Sequence, residues 1–189
     1  MNRKKRIAVA AGVYVSLLIF MMAHPTFAHY VTSENGLYLR RKPSTEAEII
    51  QKLSFGDEMK IKKENCGKDH LWHKVVVEDQ IGYVHKDYVS ETNPLDDMSY
   101  LWEWHITAYT ATGSPCANGN MPTSGFTVAC NSLDFGDEIY IKGIGFRTVE
   151  DRGPGWLGSE WCDVFCDSTA ECIQFGSQYH DVYLVSKGE

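Results

Sequence analysis

The chain has 189 residues, 43% of them hydrophobic and 23% charged, and a formal net charge of −7 at neutral pH. An acidic chain makes a poor nucleic-acid partner, because that role needs a basic footprint. The length suits two small domains or one of medium size. In chain order the first signal is Arg3, Lys4, Lys5 and Arg6, followed by an uncharged apolar run from Ile7 to Ala23 and then "HPTFA". This basic, apolar, small-residue order predicts a secretory signal peptide over residues 1–28. An uncleaved anchor is the competing reading, since the run is near the lower limit for spanning a bilayer. The basic end stays in the cytoplasm either way. Cleavage removes four basic residues and no acidic one, taking the formal charge from −7 to −11. The mature chain is then expected outside the cell, secreted or wall-associated, with no stable membrane contact.

Residues 29–89 hold short strand-like runs: "GLYLR", "EIIQKL", "EMKIKK", "HKVVVE" and "IGYVHKDYV". Turn signals such as "RKPS", "FGD" and "NCGKD" separate them, which predicts a small all-β barrel. The pieces "GLYLRRKPS", "IIQKLSFGDEMKI", "LWHKVVV" and "IGYVHKDYVS" resemble a bacterial SH3 domain of the SH3b wall-targeting type. Its usual "LNVRSGPS" is altered here, with Tyr38 and Leu39 at the Asn and Val positions and Arg41 at the Ser. The resemblance implies binding to peptidoglycan, often to its peptide stems. Tyr38, Trp72, Tyr83 and Tyr88 are the candidate wall-binding aromatics. Aromatic faces bury area at little rotamer cost. The competing expectation is that most of them fill the core of so small a barrel. "SETNPLDDMSY", residues 90–100, is polar, contains Pro94 and lacks periodicity, and is read as a linker.

Residues 101–187 differ. "WEWHITAYTATG" alternates loosely, "GFTVAC" follows a turn, and "DEIYIKG" and "FRTVED" form an expected pair around "GIG". "EWCDVFC" is a further strand. "DSTAECIQFG" carries Asp167 or Ser168 as N-cap, Ser168 and Glu171 at capping-box spacing, and Gly176 at its end. "DVYLVS" closes the set. The expectation is six strands and one short helix.

Five of the six cysteines (Cys66, Cys116, Cys130, Cys162, Cys166 and Cys172) lie after residue 115. Disulfides are the default for an exported chain. No CxxC pair is present, so no metal site is expected. If "WCDVFC" is one strand, Cys162 and Cys166 stand about 13 Å apart at Cα, too far to bond each other. The spacing does not choose among the other pairings.

"TAYTATG", "PTSGFTVACNSLDFGDEIYIKGIG", "TVEDRGPG", "CDVFC" and "CIQFG" together resemble the 3D domain, related to the catalytic barrel of MltA-type lytic transglycosylases. The resemblance implies a six-stranded double-psi β-barrel acting on peptidoglycan glycan strands, with no cofactor. Two family aspartates map onto Asp151 and Asp163, while the first family position holds Asn131. The turn "DRGPGWLG" departs from the family's "DTGGAIKG", so Arg152 and Trp156 are expected to alter the groove. Thr107, Tyr109 and Thr110 lie where relatives line it.

Lytic cleavage of the MurNAc–GlcNAc β-1,4 bond needs one group acting as acid and then as base. The sugar's own 6-hydroxyl attacks and leaves a 1,6-anhydro end, so no second carboxylate nucleophile is required, unlike a hydrolase pair. Strand alternation places Asp163 with Trp161 and Phe165, and Cys162, Val164 and Cys166 on the other face. Asp163 is therefore the expected acid/base. Asp151 is expected to orient the site or bond its own turn, and the turn to bring the two strand ends together. Taken alone, either aspartate reads as an ordinary turn or surface residue. His105 with a cysteine invites a protease reading, but no nucleophile signature surrounds any cysteine. The alternative function is a non-catalytic, expansin-like wall-binding or wall-loosening protein, since a fold match does not establish chemistry.

Overall fold

A computed structural model describes residues 27–111, 113–156 and 158–188. The apolar amino-terminal segment assigned as a signal lies outside the described residues. No helix among those described is long and apolar enough to cross a membrane.

The first unit is a seven-stranded sheet wrapped around one small core. Its strands are β1 (Ala28–Val31), β2 (Leu37–Arg40), β3 (Ile49–Leu53), β4 (Glu58–Cys66), β5 (Trp72–Val77), β6 (Gln80–His85) and β7 (Val89–Ser90), in the order β3-β2-β6-β5-β4-β1-β7. Alternation decides what is buried. Leu37 and Leu39 of β2 point inward while Tyr38 is exposed. Opposite them, a Cβ on Gly82 would stand 2.6 Å from the Leu39 side chain. Glycine there lets β6 close on the core. The core is aliphatic: Val31, Leu37, Leu39, Leu53, Met59, Val75, Val77 and Val84. Of the four candidate aromatics only Trp72 is buried, beside this cluster; Tyr38 and Tyr88 are exposed and Tyr83 is half-buried.

The second unit is a closed barrel. Its strands are β8 (Ser99–Thr110), β9 (Thr127–Cys130), β10 (Glu138–Ile141), β11 (Gly145–Asp151), β12 (Trp161–Cys166) and β13 (Gln178–Ser186), in the order β10-β11-β9-β12-β8-β13. Two neighbouring pairs, β9 with β11 and β8 with β12, run parallel. Simple up-and-down barrels have no such pairs. Ile106, Val128, Cys130, Ile139, Ile141, Val149, Cys162, Val164 and Val182 fill the interior. The expected hairpin is β10–β11. The helix α1 (Thr169–Phe175) starts as its sequence requires. The Ser168 hydroxyl accepts from the Glu171 amide at 3.2 Å, and the Glu171 carboxylate accepts from the Asp167 amide at 3.0 Å. It ends at Gly176, with φ of 69°.

Three features depart from the expectations. The stretch 152–160 does not join neighbouring strands, because β9 lies between β11 and β12. The loose alternation in "WEWHITAYTATG" has a backbone cause: Trp102 sits at φ 75°, a conformation rare for a bulky side chain. The segment 90–100 is not an open tether. Its last residues already belong to β8, and Leu95 is buried with Phe55 and Tyr140 in a cluster that joins the two units. There the Tyr140 hydroxyl donates to the Phe55 carbonyl at 2.8 Å, and the ring of Phe55 meets those of Tyr140 and Phe146 edge-on.

Candidate functional site

Strand register assembles the barrel site. Asp163 on β12 stands opposite Thr107 on β8 and opposite Ala129 on β9. Ala129 is in turn opposite Asp151 on β11. The four residues form one transverse row, and residues directly opposite across paired strands share a face. The next residues along, Ile106, Val128, Cys130 and Cys162, point into the core, so the row lies on the outside of the barrel. Two strand spacings put the aspartate Cα atoms about 10 Å apart. The alanine between them leaves the floor low.

The two carboxylates are held differently. Asp151 is saturated: it accepts from the Tyr109 hydroxyl at 3.0 Å, the Ala117 amide at 2.9 Å and its neighbour's amide, Arg152, at 2.8 Å. Burial, and then the charge of Asp151, push the Tyr109 phenol well above its usual range, so it remains a donor. Asp163 accepts from the Thr107 hydroxyl. That hydroxyl oxygen is itself fixed by the Trp161 indole, which donates to it at 2.7 Å. A directed chain therefore runs from Trp161 through Thr107 to Asp163.

A second row lies beside the first. Tyr179 on β13 is opposite His105 on β8, and His105 is opposite Trp161 on β12. The His105 ring stacks on Tyr179 at 4.9 Å and lies 4.2 Å from Trp161. Trp156, 70% exposed, meets Trp161 edge-on at 5.3 Å. The result is an aromatic strip bordering Asp163. Its members Trp161, His105 and Tyr179 were not singled out from the sequence as binding residues. The tryptophan was noted only as a neighbour of Asp163, and parallel pairing with a strand 56 residues away is not written in local periodicity.

The other expected residues fall as follows. Asn131 is exposed, and its side chain is taken up by the glycine-rich loop: it donates to the Pro154 carbonyl at 3.1 Å and accepts from the Gly153 amide at 3.0 Å. It anchors that loop. Arg152 folds back, donating to the Cys130 carbonyl at 2.5 Å with its guanidinium 3.8 Å from the Phe135 ring centre. Thr110 alternates to the face opposite Thr107 and Tyr109, and stands opposite Cys166. Among the described residues, no group of three or more His, Cys, Asp and Glu is placed to hold a metal ion. The six cysteines are not linked to one another in this structure.

In the first unit, Tyr38, Trp72 and Tyr88 line one cleft of about 550 Å³ together with Arg40, Thr45 and His85. Trp72 is buried, edge-on to His85 at 5.5 Å, and both also line a neighbouring cleft beside Asp69. The Arg40 guanidinium lies 5.4 Å from the Tyr38 ring centre. Tyr83 lies outside both clefts, opposite Arg40 and Lys74. Arg40 and His85 went unremarked in the sequence, although Arg40 shares an outward face with Tyr38 by simple alternation.

No curated protein matches the chain. The family described as bacterial SH3 domain matches residues 35–90, the stretch that runs from just before β2 to the end of β7 and carries every aromatic of that cleft, so this part of the protein is a bacterial SH3 domain.

Proposed function

We propose that the protein binds peptidoglycan through its SH3 domain and cuts the glycan strand on its barrel, as a lytic transglycosylase with Asp163 as the single acid and base. The observation that carries this is the asymmetry of the row. Asp151 has three donors and little freedom for proton transfer, whereas Asp163 is half-buried and oriented by one hydroxyl. One free carboxyl group is what internal attack by the 6-hydroxyl requires. Asp163 donates a proton to the bridging oxygen, the bond to the anomeric carbon breaks, and the same carboxylate then takes the proton from the attacking hydroxyl. The strip of Trp156, Trp161, His105 and Tyr179 supplies faces on which sugar rings stack. The cleft of Tyr38, Trp72 and Tyr88, with the cation of Arg40 at its edge, suits a carboxylate-bearing peptide stem.

The test is mass analysis of soluble muropeptides released from purified peptidoglycan. Products with 1,6-anhydro ends support the reading. Sustained binding with no cleavage products refutes the catalytic part and leaves the alternative, a wall-binding or wall-loosening protein. The observation favouring that alternative is the openness of the aromatic strip, which holds a glycan chain equally well without cutting it.

A further inference from the structure

The interior neighbours of the acidic row are cysteines. Cys162 precedes Asp163 on β12, and Cys130 follows Ala129 on β9. The antiparallel register sets these two cysteines directly opposite each other. Opposed residues of an antiparallel pair have Cα atoms about 4.5–5.5 Å apart, within the span that a disulfide bridges. Both side chains point inward and are fully buried. Their thiols interact directly: burial pushes Cys162 far up, and the hydrogen bond from Cys162 pulls Cys130 down. The other four cysteines are placed elsewhere. The Cys166 thiol meets Cys172 of α1, Cys116 lies beside Tyr109 and Asp151, and Cys66 is in the SH3 domain, hydrogen-bonded to the Lys63 carbonyl at 3.6 Å.

We infer that Cys130 and Cys162 form a disulfide in the exported protein, joining the strand that carries Asp163 to the strand that forms the floor of the groove. This rests on the export assumed above for its oxidising surroundings, but the pairing itself follows from register. The reaction is thiol–disulfide exchange. One cysteine, as thiolate, attacks an external disulfide, either a small-molecule one or that of an oxidoreductase, and releases one thiol. The second cysteine then displaces the other thiol as the Cys130–Cys162 sulfur–sulfur bond closes. Two thiols of the chain are oxidised by two electrons, and one external disulfide is reduced to two thiols. Because both sulfurs are sealed in the folded barrel, exchange takes place before the barrel closes. The finished bond is then protected from reductant.

The test uses the full chain, unfolded and reduced, then refolded in a buffer of reduced and oxidised glutathione. Free thiols are alkylated, the chain is digested without reduction, and peptides are mapped by mass, with circular dichroism reporting that the β structure has returned. The expected result is a linked Cys130–Cys162 peptide and loss of alkylation at both positions. The linkage should survive mild reductant in native buffer and disappear in denaturant. Recovery of Cys130 and Cys162 both alkylated in the refolded chain, or either one linked to a different cysteine, overturns the inference. The experiment involves neither export nor wall substrate, so its failure leaves the proposed function standing.

Discussion

Removing the Tyr140 hydroxyl tests whether the two domains are joined by the contact described. Tyr140 is 1% exposed, and its only hydrogen bond across the seam is to the Phe55 carbonyl, on the other domain, at 2.8 Å. Burial pushes the phenol up to about 12, so it is a neutral donor at any working pH. Tyr140→Phe keeps the ring and its packing against Phe55 and Phe146, so no cavity opens. What is lost is one neutral hydrogen bond, and one buried carbonyl is left without a partner, a change that costs about 1–2 kcal/mol. For a chain of this size each kcal/mol lowers the melting temperature by about 2–4 °C, so the expected fall is roughly 2–8 °C. The assay is calorimetry of the full chain, with Tyr38→Phe as control, since an exposed tyrosine without such a bond changes stability by less than about 0.5 kcal/mol. Limited proteolysis between residues 91 and 98 should also accelerate in Tyr140→Phe. A melting temperature unchanged to within about 1 °C, where the reasoning demands more, refutes the seam as a stabilising contact.

Asp163→Asn keeps the acceptor for Thr107 but carries no transferable proton. It should lower anhydro-muropeptide release by roughly a hundred- to ten-thousandfold while wall pelleting and melting stay unchanged; near-normal release would remove the acid/base role from this residue. Thr107→Val should lower release about tenfold in the parent, an effect of about 1.4 kcal/mol on the barrier, and add nothing in the Asp163→Asn background if the hydroxyl acts only through that carboxylate. Tyr38→Ala and Tyr88→Ala, both at exposed positions of the SH3 cleft, should each weaken peptidoglycan pelleting by roughly five- to thirtyfold, and unaltered pelleting would place the wall contact elsewhere. Burial alone would raise Asp137, but the Gly188 amide, the Lys187 ammonium and the Asp134 amide together hold it below the usual carboxylate range. Its unfolded form therefore binds a proton first, so its contribution is complete above about pH 4 and is lost as pH falls through the folded value. Asp137→Asn should flatten that acid limb of the stability profile, measured by urea titration at successive pH values, and an identical limb would reject the assignment.

How much of this could be read from the sequence depends on the range of the signal. Alternation over four to six residues located β2, β5 and β12, and correctly grouped Asp163 with Trp161. Capping chemistry over ten residues located α1 with both of its ends. The tripeptide Phe-Gly-Asp, read as a turn signal at residues 55–57, recurs at 135–137 and folds the same way: the Asp57 and Asp137 carboxylates each accept an amide three residues earlier. What could not be read was order in space. That β9 separates β11 from β12 is set by closure of the barrel, so the glycine-rich loop reads as a hairpin until its partner strands are known. The loop contacts of Asn131 were hidden for the same reason, since Gly153 and Pro154 are more than 20 positions away. Leu95 was hidden by its polar neighbours in a stretch that composition marks as free.

The buried seam has a consequence for how the protein would meet a wall. A domain pair joined by a slack chain searches a volume, and its reach is an average over many linker shapes. Here Leu95 fills the joint so closely that a Cβ on Gly56 would stand 2.7 Å from it, and Tyr140 is bonded across it. The SH3 cleft and the aspartate row of the barrel are therefore set at one offset and one angle. Under the proposed function, such a molecule works as a gauge rather than a leash: once anchored on a peptide stem, it addresses only a strand lying at that offset, and the spacing of the wall itself selects where the glycan is opened.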